Sequence, residues 1–316
     1  MTAGAAALPD FLLIGVARSG TTALHSYLRQ SPRIFMPEVK EPNFFAYEGR
    51  DLAIRGPGAE FINNSVTRIE EYRALFAPAP PGALKGEASP LYLYEPAAPE
   101  NIRRHVPRAR MVLILRDPVE QAWSHFLYAK RMSIEPLASF TEALTREEER
   151  LAAGWQPLFG YSSFARFGEQ LERYLAIFPR EQILIRRYEE FRADPQGLIA
   201  DILAHIGADP GFRPDLSQRP NEGGVPKNAA LQNFLMRPNP VTGLAARVLP
   251  LRLRRRIRDR LASLNLRRGG ETRLPEAARA ILLDRLSDDI LRLERLTGLD
   301  LAAWRAARPE ALEEPA

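Results

Sequence analysis

The first chemical signal is an eight-residue loop, Gly15-Val16-Ala17-Arg18-Ser19-Gly20-Thr21-Thr22. It follows an apolar run and precedes a helical pattern. A glycine-containing turn between a strand and a helix aims backbone N–H groups and a helix N-terminus at one point, which makes an anion site. A Walker-type nucleotide loop would need lysine after the second glycine. Here Thr21 and Thr22 follow Gly20, and no GxGxxG fingerprint is present. A second signal is Arg116, which closes the apolar run 111–115, with Ser124 two helical turns further on. A third is the block Lys40-Glu41-Pro42-Asn43-Phe44-Phe45. Each has a plainer reading: a tight strand-to-helix turn, a strand-end charge with a helix hydroxyl, and a solvated loop. Phe44 and Phe45 fit equally a core or a wall against a substrate.

These residues need a frame to hold them. Residues 11–16 and 111–115 are continuous apolar runs suited to buried parallel strands, and 182–186 is a third. Residues 21–30 form a helix with Ala23, Leu24, Tyr27 and Leu28 on one face. The second helix start is well specified: Asp117 suits the N-cap, Pro118 suits N1, and Glu120 completes a capping box. Residues 31–60 read as loop and 86–94 as an extended segment. One helix is expected over 163–178, with Phe164, Phe167, Leu171, Tyr174, Leu175 and Phe178 facing a core. Helices then dominate, at 196–206, 228–236, 244–263 and 276–296. The expectation is one α/β domain over 10–307, with mobile tails at 1–9 and 308–316.

The loop GxxRxGTT at 15–22 resembles the 5′-phosphosulfate loop of sulfotransferases that use 3′-phosphoadenosine 5′-phosphosulfate (PAPS). The block from Leu115 to Phe126 resembles that family's 3′-phosphate signature. The block 40–45 is similar to the KEPxFF segment of bacterial and heparan-type members, and 188–195 and 301–304 also resemble that group. The resemblance covers nearly the whole chain. It implies an α/β fold of the P-loop-like kind, a central parallel sheet flanked by helices with a helical C-terminal region. It implies that Gly15, Ser19, Gly20, Thr21 and Thr22 cradle the phosphosulfate. Arg18 would stabilise charge there, in a place where many members have lysine. Arg116 and Ser124 would hold the 3′-phosphate, and Glu41 would be the general base. Lys40 and Phe44 would meet the acceptor. Glu87 is a second candidate for base or acceptor contact, and it otherwise reads, like Lys85, as a surface residue. Arg268, Gly269 and Arg273 are candidates for a basic loop closing on the 3′-phosphate. Ala88 and Gln121 stand where relatives often have lysine and arginine. His25 and His125 read as packing or surface residues. No metal is implied, because the loop and its arginines supply the positive charge. The implied acceptor is a carbohydrate or a small natural product.

Composition narrows the alternatives. The chain has 316 residues, 45% hydrophobic and 26% charged, which suits a globular protein. It has no cysteine, so disulfides, thiol catalysis and iron–sulfur clusters are out. Its four histidines are scattered, without metal-binding spacing. Net charge is +5, yet residues 251–268 hold eight arginines and one aspartate, so the rest of the chain is slightly acidic. That segment, 252–260 in particular, reads as a solvated helix face, as an attractor for an acidic or membrane surface, or as a cofactor lid. Two rivals remain at this point: an anion- or nucleic-acid-binding module built on the Arg-rich helix, and an ATP phosphotransferase. No apolar run reaches the roughly 20 residues that span a bilayer, and the N-terminus lacks the pattern of a signal peptide. The expected location is cytoplasmic, and nucleic acid is not an expected partner.

Overall fold

The computed structural model describes residues 8–217 and 273–306, with the short pieces 225–226, 231, 260–261 and 264–267. Most of the Arg-rich segment, Arg268, Gly269, the 228–236 helix apart from Leu231, and the tails 1–7 and 307–316 lie outside the described residues.

The apolar runs form a parallel sheet, as their continuous hydrophobicity requires. Its strands are β1 (Phe11–Gly15), β2 (Ile34–Phe35), β3 (Leu84–Ala88), β4 (Arg110–Leu115) and β5 (Ile183–Arg187). The spatial order is β2-β3-β1-β4-β5, and every pairing is parallel. Phe11 lies opposite Gly86 of β3 and Arg110 of β4. A Cβ on Gly86 would stand 2.1 Å from the Phe11 ring, so only glycine lets that ring lie across the neighbouring strand.

The helices that matter for the site are α1 (Thr21–Leu28), α2 (Phe44–Tyr47), α3 (Leu91–Tyr94), α4 (Pro118–Arg131), α5 (Tyr161–Phe164), α6 (Phe167–Leu175), α7 (Tyr188–Ala193), α8 (Pro195–Ile206) and α9 (Glu276–Thr297). Side chains alternate across a strand, so both faces of the sheet must be covered. Phe11, Leu13, Val112 and Ile114 pack with α1 and α8 on one face. Leu12, Ile14, Met111, Leu113 and Leu115 pack with α3, α4, α6 and α9 on the other. The stripe Ala278, Leu282, Leu286, Ile290 and Leu293 seats α9 in that second core.

Three expectations are corrected. The 31–60 stretch is not all loop, since it contains β2 and α2. The 86–94 segment is not extended throughout: β3 ends at Ala88, and Leu91–Tyr94 turns into α3. The 163–178 helix is two helices, α5 and α6. Asp289, on α9, accepts from the N–H groups of Gly168 and Glu169, both at 2.8 Å, and so caps a new helix there. A Cβ on Gly168 would come within 2.5 Å of the Asp289 carbonyl oxygen. The cap lies far away in sequence, so the side-chain periodicity of 163–178 could not announce the break.

Candidate functional site

The chain leaves β1 towards one edge of the sheet and leaves β4 towards the other. Where neighbouring parallel strands part in this way, their carboxyl ends open a crevice that suits a ligand. The Val16 N–H donates to the Ile114 carbonyl at 3.0 Å and joins the two strand ends there.

The loop after β1 is held by its own polar groups. Ser19 is buried and donates its hydroxyl to the Val16 carbonyl at 2.6 Å, so its side chain closes the loop from within. Gly15 also faces inward: a Cβ there would meet Leu93 and Leu113 at 3.1 Å. Gly20 has φ +85, and a Cβ would lie 2.6 Å from the Phe191 ring. Thr21 and Thr22 begin α1, and no side chain caps that helix start. The first turn of a helix carries unpaired N–H groups and positive potential.

Arg18, Arg116 and Ser124 come together at this point. The Arg18 Nε donates to the Ser124 Oγ at 3.4 Å, and the Arg18 carbonyl accepts from Arg116 at 2.8 Å. Gln121 adds a bond to the Ala17 carbonyl at 3.2 Å. The guanidinium groups rest on aromatic faces, Arg18 on Tyr128 at 4.7 Å and Arg116 on Tyr188 at 5.0 Å. Burial pulls the Arg18 pKa down to about 10, helped by the charges of Arg131 and Arg116. Burial also lowers that of Arg116. Among the described residues neither guanidinium forms a salt bridge, although the charges of Glu120, Asp117 and Glu189 act on Arg116 in the opposite direction to burial. Both guanidinium groups are half-buried and stand beside a helix start that no side chain caps.

At the start of α4 the Asp117 cap and Pro118 stand as expected, while the Glu120 side chain meets Arg279 where a capping box was expected. The Asp117 carboxylate accepts from the N–H groups of Val119 (2.9 Å) and Glu120 (3.3 Å), with Pro118 in the first turn. Burial raises the Asp117 pKa to about 6. Glu120 reaches Arg279 of α9 at 3.1 Å, which ties the helix start to the C-terminal part of the chain.

Residues 40–43 face the same crevice. Glu41 is salt-bridged to Lys40, and its N–H donates to the Ala88 carbonyl at 3.1 Å. Asn43 is buried, its N–H donating to Ser89 and its amide to Ser65. Arg18, Glu41 and Asn43 all hold left-handed backbone, with φ of 69, 60 and 55. Non-glycine residues pay of order 1 kcal/mol for this, and such strain gathers at functional sites. A cleft of about 370 Å³ opens between the loops, with Arg18, Thr21, Thr22, Lys40, Glu41 and Tyr128 among its lining.

Other candidates fall elsewhere. Phe44 is fully buried and stacked on Tyr72 at 4.5 Å, so it is core and does not line the cleft. Glu87 is not a surface residue: it is 1% exposed and accepts from Tyr72 (3.0 Å), Tyr92 (2.5 Å) and Ser89 (2.8 Å). Burial outweighs these bonds and raises its pKa to about 7. Lys85 is half-buried and paired with Asp10. Arg273 is exposed and pairs with Glu276 at 3.3 Å. His25 is buried against the Pro37 carbonyl. His125 is buried on the cleft wall, and its Nδ1 has no hydrogen-bond partner. Among the described residues no cluster of acidic and histidine side chains could hold a metal, and no helix could cross a membrane.

Tyr128 is the residue that sequence reading missed. Ser124, Tyr128 and Arg131 are spaced four and three apart on one helix face. That spacing was the available signal, and the structure shows Tyr128 carrying both Arg18 and Arg131.

Residues 9–212 match the model of the sulfotransferase family, and the chain belongs to that family. It is 26% identical over 223 residues to the mouse bifunctional heparan sulfate N-deacetylase/N-sulfotransferase 4, covering 65% of this chain and 23% of that protein. It is 29% identical over 205 residues to the human heparan sulfate glucosamine 3-O-sulfotransferase 6, covering 63% and 52%. The chain thus matches from about a quarter to about half the length of these relatives. A crystal structure of a sulfotransferase from Alicyclobacillus acidocaldarius superimposes with TM-score 0.73 at 28% identity, covering 95% of this chain and all of that one.

Proposed function

We propose that this chain transfers a sulfuryl group from PAPS to the hydroxyl or amine of a carbohydrate or small natural product. One observation carries the reading: two half-buried guanidinium groups, neither in a salt bridge among the described residues, stand at the uncapped start of α1, joined through Ser124 and the Arg18 carbonyl. This donor set fits a doubly phosphorylated, sulfated nucleotide, with anionic groups to be met at both ends. Bound there, PAPS supplies an activated sulfuryl group on its 5′-phosphate.

The chain's own residues then have distinct tasks. The first turn of α1 and Arg18 hold the 5′-phosphosulfate and its growing charge. Arginine cannot donate a proton readily, yet it holds an anion through two parallel bonds, and a departing phosphate needs no proton. Arg116 and Ser124 hold the 3′-phosphate. Glu41 takes the proton of the acceptor hydroxyl as the new oxygen–sulfur bond forms and the bond to the phosphate breaks. Lys40 keeps the Glu41 carboxylate in place. Gly15 and Ser19 serve by shaping the loop. A single catalytic domain over 10–307 and a cytoplasmic location belong to the same proposal.

The test is calorimetric titration with 3′-phosphoadenosine 5′-phosphate, with ATP and adenosine 5′-phosphate as controls and EDTA present. Tight binding that depends on the 3′-phosphate is the expected result. No binding, or ATP binding equally well, overturns the donor assignment.

A further inference from the structure

Resting on that reading, we infer that the acceptor is an uncharged molecule with an aromatic or alkyl body bearing the hydroxyl, rather than an anionic polysaccharide. The first observation is where apolar surface is left open. Among the described residues five large apolar side chains are exposed: Val39, Phe61, Leu231, Leu261 and Leu264. Two of them, Val39 at 50% and Phe61 at 39%, stand on the lining of the cleft that holds Arg18 and Glu41. Behind them the lining continues with Leu91, Tyr128, Leu158 and Phe164. Exposed apolar side chains that continue into an apolar cleft wall suit an apolar ligand body.

The second observation is charge. The described lining carries two cations, Arg18 and Lys40, and two anions, Glu41 and Glu60. Arg18 belongs to the donor end, and Lys40 is already paired with Glu41. A chain of carboxylates or sulfates would therefore meet Glu60 without a free described cation in the lining. Desolvating such charges without partners is unfavourable.

The third observation is polar. His125 lies on the cleft wall, 2% exposed, with its Nδ1 unpartnered. Burial, with the charge of Arg18, lowers its pKa to about 3. Its imidazole is neutral at physiological pH and offers a hydrogen bond to an uncharged group, not a charge to an anion. The cleft, at about 370 Å³, lies at the small end of the range for small-molecule sites.

The probes are 2-naphthol, as a neutral hydroxylated aromatic, and an N-acetylheparosan hexasaccharide, as an anionic glycan. Each is dialysed to equilibrium against the full chain saturated with 3′-phosphoadenosine 5′-phosphate, whose own binding is titrated separately. 2-Naphthol should bind saturably and the hexasaccharide should neither bind nor displace it. Phe61→Asp should weaken 2-naphthol about tenfold, from lost apolar cover, while Phe61→Leu stays near wild type. Both variants should keep the wild-type affinity for the nucleotide. Absence of saturable 2-naphthol binding, tighter binding of the hexasaccharide, or an unchanged Phe61→Asp affinity would overturn the acceptor class. With nucleotide binding intact, any of these leaves the sulfotransferase reading standing. Failure of the nucleotide to bind wild type sinks that reading, and the acceptor inference with it.

Discussion

Arg18 concentrates the charge of the site in one side chain. It touches Ser124, lies over Tyr128, and lends its carbonyl to Arg116. Removal of one well-placed charge-stabilising donor costs about 10²–10³ in turnover in comparable sites. Arg18→Ala should lose that much in kcat at saturating PAPS, and a wild-type rate would take Arg18 out of the mechanism. Glu41→Gln should lower kcat by about 10²-fold or more, while nucleotide affinity by calorimetry stays within a factor of two. If turnover holds, the acceptor proton leaves by another route. Glu87 is a poor alternative, because Tyr72, Tyr92 and Ser89 enclose it away from the cleft lining. At this scale much was legible: the loop and the Arg116–Ser124 pair combine residue types that bind anions. The partner of Arg18 on Tyr128 was not, because a cation over a ring is a contact across the fold.

At the scale of elements, two helix starts do different work. The start of α1 is left without a side-chain cap, and the start of α4 is capped by Asp117. The capped start fixes the helix that carries Gln121, Ser124, His125 and Tyr128. Loss of an N-cap carboxylate typically costs about 1 kcal/mol, and up to about 2. Asp117→Ala should lower the free energy of unfolding by that amount, read from the urea midpoint at unchanged slope. A midpoint equal to wild type would show that Pro118 and tertiary packing hold the helix start alone. This cap was readable from Asp117-Pro118. The cap of α6 was not: Asp289 of α9 supplies it, from the far end of the chain.

The whole molecule responds to pH through its buried groups. The Glu87 pKa, near 7 when folded, lies well above its ordinary value of 4.5. The folded state therefore favours the protonated carboxyl. Its contribution is full below about pH 4.5 and is lost as pH rises through 7, a difference on the order of 3 kcal/mol. His25 and His125 act in the opposite sense, since burial lowers both, and they cost stability as pH falls below about 6.5. The clean comparison is thus Glu87→Gln against wild type at each pH. From pH 5 to 8 the variant should gain stability relative to wild type. A constant difference across that range would show that the carboxyl titrates normally.

The sequence by itself determined strands β1, β4 and β5, the loop after β1, the Asp117 cap of α4 and the family these imply. Those features depend on near neighbours: apolar runs, turn residues and a cap within a few positions. Only the tertiary structure decided that Glu87 and Phe44 are buried, that α5 and α6 are separate, and that Val39 and Phe61 share a cleft with Glu41. Burial, distant capping and the grouping of side chains around a cavity arise when segments far apart in the chain pack together, and no local pattern encodes which segments those will be.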